Sequence, residues 1–131
     1  MIVVDTSVWV SRLADQVTPH TRRLDEAMAA SVEIGLTPIL LTEVLQGIRT
    51  DRDFERTRGL LLRLPMLSLD AEGHVAAAQL YRMLRRRGVT IRGAIDCIIA
   101  QTCIVHGAEL LAADRDFEQI ARHTQLRCIA V

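Results

Sequence analysis

Met1-Ile2-Val3-Val4-Asp5-Thr6-Ser7-Val8-Trp9 opens the chain as an apolar run that stops on an acid. Ile2, Val3 and Val4 are β-branched, which suits an extended backbone. Apolar side chains at three successive positions imply a strand covered on both faces, as in a parallel sheet. Asp5 then stands at the carboxyl end of that strand. In open α/β sheets ligands bind at that edge. Thr6 or Ser7 can cap the helix that follows, which leaves the Asp5 carboxylate at the floor of a crevice.

Outward from this stretch, strands and helices alternate. A short helix is predicted from Thr6 to about Ala14, with Val8, Trp9 and Leu13 on its apolar side. Trp9 reads as a packing anchor. A second helix starts at Pro19 and carries Leu24, Ala27 and Met28 at helical spacing. Ile34 to Thr37 is a second strand ended by Pro38, and Asp51 caps a helix whose stripe is Phe54, Arg58, Leu61 and Leu62. Met66 to Leu69, after Pro65, reads as a third strand. Asp70 caps a long helix to Arg87 with Gly88 past its end. A helix with the stripe Ile95, Ile98, Ile99 and Cys103 ends at Gly107. Leu110 to Ala112 and Cys128 to Val131 are the last strands, with a helix marked by Phe117, Ile120 and Ala121 between them. The expectation is an α/β fold, a mainly parallel sheet of four to five strands with helices on both faces. At 131 residues the chain is predicted to be one domain, 1–131, able to bury roughly two thirds of its unfolded surface.

Composition excludes several chemistries. All sixteen basic residues are arginine, and there is no lysine. A Walker A phosphate loop and a Schiff-base lysine are therefore ruled out. Cys97, Cys103 and Cys128 have no paired spacing and read as small core residues in a reducing compartment. No basic leader precedes Asp5 and no run approaches the ~20 apolar residues of a membrane span. A cytoplasmic protein without membrane contact is expected. Formal net charge is zero, so charge distribution has to decide any nucleic-acid reading.

The acids carry the chemistry. In Pro38-Ile39-Leu40-Leu41-Thr42-Glu43-Val44-Leu45 apolar residues almost surround Glu43, and a glutamate is rarely buried unless paired or bound to a cation. Its other reading is an acid at the edge of the surface, stabilised by the positive end of the helix. Asp96 precedes Cys-Ile-Ile near a helix start, where local backbone capping is the competing account. Asp114 and Asp116 flank Arg115 after a strand, and either can serve the start of the next helix. Asp5, Glu43, Asp96 and Asp114, with Asp116 beside them, all fall at strand ends or helix starts. Gathered in one crevice, they would raise one another's pKa unless a cation intervened. A site built of oxygen alone favours magnesium, with manganese as substitute, over zinc. Such ions support phosphodiester hydrolysis. Arg92, one turn before Asp96, can pair with an acid or receive a phosphate. Arg85-Arg86-Arg87 is equally open to phosphate contact and to a solvated last helical turn.

Asp5-Thr6-Ser7 after the first strand, Glu43, Asp96 in an Ile-Asp-Cys-Ile-Ile-Ala helix start, and Asp114-Arg115-Asp116-Phe117 after Glu-Leu-Leu-Ala resemble the PIN-domain ribonucleases. Length and spacing are similar to those of the VapC toxins of type II toxin–antitoxin pairs. The resemblance implies a three-layer α/β/α sandwich and a divalent-metal site. It implies endonucleolytic cleavage of structured RNA, often transfer RNA, together with a cognate VapB-type antitoxin and a homodimer. By position, Asp5, Asp96 and Asp114 would be the metal ligands. Glu43 would complete the acidic pocket and Asp116 would assist. A supporting role for Ser7, and phosphate contact by Arg92 or Arg115, are further expectations. Ala112 departs from the pattern, since a hydroxyl residue often stands two positions before the acid at 114. That departure keeps a catalytically weak RNA-binding or antitoxin-sequestering module as the alternative. A haloacid-dehalogenase-like phosphatase fits worse, because Ser7 stands where a second acid is needed and its lysine is missing.

Overall fold

A strand apolar on both faces needs cover on both, and in the computed structural model, which describes residues 1–131, β1 (Ile2–Val4) has it. Side chains alternate between the faces of a strand, yet Ile2, Val3 and Val4 are all buried, as are Leu110 and Leu111 of β3 (Glu109–Leu111). Helices therefore cover the sheet on both sides, giving three layers. The remaining strands are β2 (Ile34–Gly35) and β4 (Arg127–Cys128), and the order is β2-β1-β3-β4, all parallel. Ile2 pairs with both Ile34 and Glu109, and Val4 with Leu111. The chain moves from β1 to β2 on one side and later inserts β3 on the other. The junction of β1 and β3 is thus the switch point of the sheet, where the connections diverge and open a crevice.

Helices α1 (Thr6–Leu13) and α2 (Pro19–Ala29) connect β1 to β2. Then come α3 (Pro38–Gln46), α4 (Asp51–Leu61), α5 (Ala71–Arg86) and α6 (Ala94–His106), with α7 (Asp116–His123) between β3 and β4. One contiguous aliphatic core joins them, with Trp9 buried in it. No helix is long and apolar enough to cross a membrane.

Several boundaries differ from the sequence expectation, each for a local reason. The strand expected at Met66–Leu69 is a single bridge from Leu36 to Met66. Its partner chain turns immediately into a helix, because the Thr37 side chain accepts from Leu40 N and ends the extended stretch. The second strand accordingly stops at Gly35. Thr50, not Asp51, caps α4, with its hydroxyl accepting from Asp53 N. The final strand is confined to Arg127–Cys128 and β3 begins at Glu109. Within helices the stripes shift in phase: Cys97, Ile99, Ala100 and Cys103 face the core while Ile95 is exposed. In α4, Thr57 and Leu61 are buried and Leu62 and Arg58 are not. Leu13 and Met28 also lie outside. The cap of α5 by Asp70 and the left-handed Gly107 that ends α6 stand as expected.

Candidate metal centre

Asp5 follows β1 directly, and its backbone N–H donates to Leu111 O at 2.9 Å. The pairing of β1 with β3 thus extends one residue beyond the strand. Asp5 is itself the cap of α1: Oδ2 accepts from Ser7 N at 3.1 Å and from Ser7 Oγ at 2.6 Å. Capping by Thr6 or Ser7 is therefore replaced by capping through the acid, which can accept the backbone donors that a free helix start presents. Ser7 Oγ in turn accepts from Ala113 N at 3.3 Å. One hydroxyl thereby ties the end of β1 to the loop after β3, beside the position where Ala112 supplies none.

Around this junction the other acids converge. A cleft of about 420 Å³ is lined by Asp5, Thr6, Ser7, Glu43, Asp96 and Asp114, with Arg92, Gly93 and Ile95 on its rim. Glu43 is half-buried in the second turn of α3, and Thr6 Oγ1 donates to its Oε1 at 3.2 Å. Burial raises the Glu43 pKa, Asp5 adds to the rise, and the Thr6 hydrogen bond opposes it. Asp96 lies in the first turn of α6, whose cap is Gly93 with no side-chain bond. Local capping therefore does not account for Asp96. Its pKa is pushed up to about 6, first by burial and then by Asp114, Asp5 and Asp116, against the opposing pull of Arg92.

Asp114 Oδ1 accepts from Asp116 N at 2.9 Å, which turns the loop into α7. Asp114 thus assists the start of that helix without excluding an outward role for its second oxygen. Oxygens of Asp96, Asp114 and Asp116 lie within 4.8 Å of one another. Arg92 Nη2 donates to Asp114 Oδ2 at 2.5 Å, and Arg92 Nε stands 3.6 Å from Asp116 Oδ2. That last oxygen is buried and has no hydrogen bond. An all-carboxylate set with an unsatisfied buried oxygen fits a hard divalent cation, which takes oxygen ligands.

The sequence candidates thus divide. Asp5, Ser7, Glu43, Asp96, Asp114 and Arg92 line one cleft, and Asp116 joins Asp96 and Asp114 more closely than its assisting role anticipated. Arg115 is exposed at the start of α7 and is not in the lining. Thr6 and Ile95 line the cleft without having been singled out for it. For Ile95 the signal was helical phase, since it lies two residues, about 200°, from the buried Cys97. The cysteines stay outside the chemistry, since burial pushes the Cys97 and Cys103 thiols up to about 11 and about 12.

A parallel sheet, a switch-point crevice and an oxygen-only carboxylate cluster define a class of α/β proteins suited to cation-assisted phosphoryl chemistry. The PIN domain family matches residues 2–123. Ribonuclease VapC11 of Mycobacterium tuberculosis is 39% identical over 131 residues, covering 97% of this chain and 96% of the relative. Among solved structures, VapBC2 of Rickettsia felis bound to a promoter DNA fragment superposes with a TM-score of 0.77. It has 20% identity and covers 98% of each chain. Mycobacterium tuberculosis VapC20, described as a sarcin-ricin loop cleaving toxin, gives a TM-score of 0.64 at 16% identity, over 90% of this chain and 93% of that one. The chain belongs to the PIN domain family, in its VapC ribonuclease branch, and is an endoribonuclease.

Proposed function

We propose that residues 1–131 act as one PIN unit, the toxin of a type II toxin–antitoxin pair, cutting structured RNA in the cytoplasm with magnesium as cofactor. The observation that carries the metal dependence is the cluster of Asp96, Asp114 and Asp116, with a buried Asp116 oxygen that makes no hydrogen bond and has only the Arg92 guanidinium, 3.6 Å away, beside it. Asp5, Asp96 and Asp114 would hold the ion and Asp116 would add the fourth carboxylate. Magnesium supplies activation of water and neutralisation of charge at the phosphoryl group; manganese has the same ligand preference. Ser7 fixes the Asp5 carboxylate through the two bonds to Oδ2 and leaves Oδ1 for a ligand. Glu43, its pKa raised by burial, holds or accepts a proton at the back of the cleft. Arg92 on the exposed rim is placed to leave its carboxylates for a substrate phosphate, and Arg115 would meet a flanking one further out.

Transfer RNA is the first substrate to test, and the sarcin-ricin loop named for VapC20 is another folded RNA of the same kind. A VapB-type antitoxin is the proposed partner, supported by the likeness of this fold to toxins solved in VapBC complexes. A homodimer is proposed with it. Purified chain incubated with total cellular RNA should yield discrete fragments with magnesium, and none with chelator or with Asp5→Asn. RNA left whole by folded, magnesium-supplied chain would favour the second reading. Ala112 supports that reading, a PIN module that binds RNA or sequesters antitoxin with little turnover, since it puts no hydroxyl beside the acids.

A further inference from the structure

Where α5 ends, its last turn and the strap after it enclose a second, smaller cleft of about 250 Å³, lined by Tyr81, Arg85, Gly88, Val89, Thr90 and Ile91. The strap is held in place by the helix end. Gly88 takes φ +76°, Gly88 N donates to Arg85 O and Val89 N donates to Leu84 O at 2.9 Å. This reversal turns the chain back over α5. A residue with Cβ resists that positive φ.

The cleft has two unlike walls. On one side the half-buried Tyr81 ring has the Arg85 guanidinium 5.9 Å from its centroid, so a ring face and a cationic plane stand together. On the other side, the strap contributes Val89, Thr90 and the buried Ile91. From Tyr81 to Arg92 the chain carries five arginines and no acid. Arg82, Arg85, Arg86 and Arg87 form no ion pair with any carboxylate. Elsewhere, Arg12, Arg23, Arg56 and Arg58 are paired with acids one turn or one helix away, and the seven other unpaired arginines are spread along the chain. Four unpaired arginines within the six residues 82–87 concentrate positive charge here in a chain of zero formal net charge.

This cleft adjoins the acidic one. Ile91 lines the first and Arg92 and Gly93 line the second. At ~3.5 Å per residue, the three-residue step from Thr90 to Gly93 spans no more than about 10 Å. A polyanion crossing the acids would thus pass the arginines, with one of its units beside Tyr81. Of the remaining aromatic side chains, Trp9 and Phe117 are buried in the core and Phe54 lies on α4.

We propose that the Tyr81–Arg85 cleft is a nucleobase subsite, taking one unpaired base of the RNA substrate against the tyrosine ring while the neighbouring arginines hold its phosphates. The subsite rests on the reading of the chain as a ribonuclease and adds to it a place where an unpaired base is sensed. RNA recognition reads splayed-out bases by stacking on aromatic rings and guanidinium planes. One stack is worth roughly 1–3 kcal/mol, which corresponds to about 5- to 150-fold in affinity. The cleft is also smaller than the roughly 300–1,000 Å³ typical of small-molecule sites, which suits one planar heterocycle.

The test is binding, measured separately from cleavage. Fluorescein-labelled octaadenylate and an abasic ribose-phosphate octamer would be titrated by anisotropy into full-length Asp5→Asn protein. The ratio of the two affinities cancels the common phosphate attraction. About 10-fold preference for the base-bearing probe is expected. Tyr81→Phe should keep it, while Tyr81→Leu and Arg85→Gln should remove most of it. Arg85 is exposed, so its variant reports even where Tyr81→Leu loses the fold. Equal affinity for both probes, or a preference unchanged in Arg85→Gln, would overturn the subsite. A chain that shows the preference but cuts no RNA would retain the subsite and refute the proposed chemistry.

Discussion

Asp96 and Arg92 are four residues apart, and Asp114 and Asp116 raise the pKa of both, which disfavours the charge of Asp96 and favours that of Arg92. The Asp96 carboxyl has an ordinary value of 3.8 and is pushed up to about 6 by burial and then by Asp114, Asp5 and Asp116. The folded chain therefore keeps a proton over a range in which the unfolded chain has released it. Its contribution to stability is greatest below about pH 4 and is lost as pH rises towards about 6. At neutral pH the ionised Asp96 costs the metal-free fold ~1–2 kcal/mol, after allowance for partial solvent screening. Asp96→Asn removes that cost. Its metal-free melting temperature should therefore exceed that of the unmodified chain at pH 7, with the gap closing towards pH 4, while its magnesium-induced rise should be smaller. Thermal melts in chelator and in magnesium, run side by side from pH 4 to 7, measure both. A gap that does not vary with pH would place Asp96 outside the field of the other carboxylates. Arg92 is held by Asp114 and Asp116 and its pKa is raised accordingly. Its guanidinium occupies oxygens that a cation would need, so it competes with metal for them. Arg92→Gln should bind manganese several-fold more tightly in a calorimetric titration, while its affinity for RNA falls. Equal or weaker metal binding would show that the ion pair lies off the metal's coordination path.

At the scale of elements, what the sequence disclosed depended on whether the determinant was local. The β-branched run at Ile2–Val4, the Asp70 cap and the left-handed Gly107 are each set by a few adjacent residues, and each is found where expected. Asp5, Glu43, Asp96 and Asp114 were legible as candidates because strand ends and helix starts are local features too. Their convergence on one cleft was inferred from the parallel-sheet pattern and rests on tertiary geometry. What was not legible was settled by partners distant in sequence. Met66–Leu69 has strand-like residues, but its only backbone bridge is from Met66 to Leu36, and Thr37 ends that stretch by capping α3. The phase of α6 was misread because Ile95 and Cys97 are both apolar; packing on α5 and the sheet selects Cys97 and turns Ile95 to the acidic cleft. The grouping of Asp116 with Asp96 depends on the turn that Asp114 makes by accepting from Asp116 N. The double role of Ser7, donating to Asp5 and accepting from Ala113, joins residues 106 apart in sequence. No periodicity reports such a contact.

The whole molecule presents chemically different surfaces: the acidic cleft with its arginine margin, and an apolar groove of about 300 Å³ lined by Trp9, Met28, Val32, Leu60 and Leu64. Met28 and Leu60 are nearly half exposed, at 48% and 46%. Trp9 is 4% exposed, and its indole N–H is buried without an acceptor. An amphipathic helix laid into an apolar groove is a common mode of partner recognition. This groove is accordingly the proposed seat of the antitoxin, separate from the carboxylates that would hold metal. Met28→Glu with Leu60→Glu should leave the melting temperature within about 2 °C, since surface substitutions cost little. The same pair should abolish co-purification with the proposed VapB-type antitoxin, because a carboxylate taken out of water without a partner is strongly disfavoured. RNA cleavage by the isolated double variant should persist, and added antitoxin should no longer suppress it. Suppression that survived both glutamates would move the antitoxin contact off this groove and onto the acidic cleft itself.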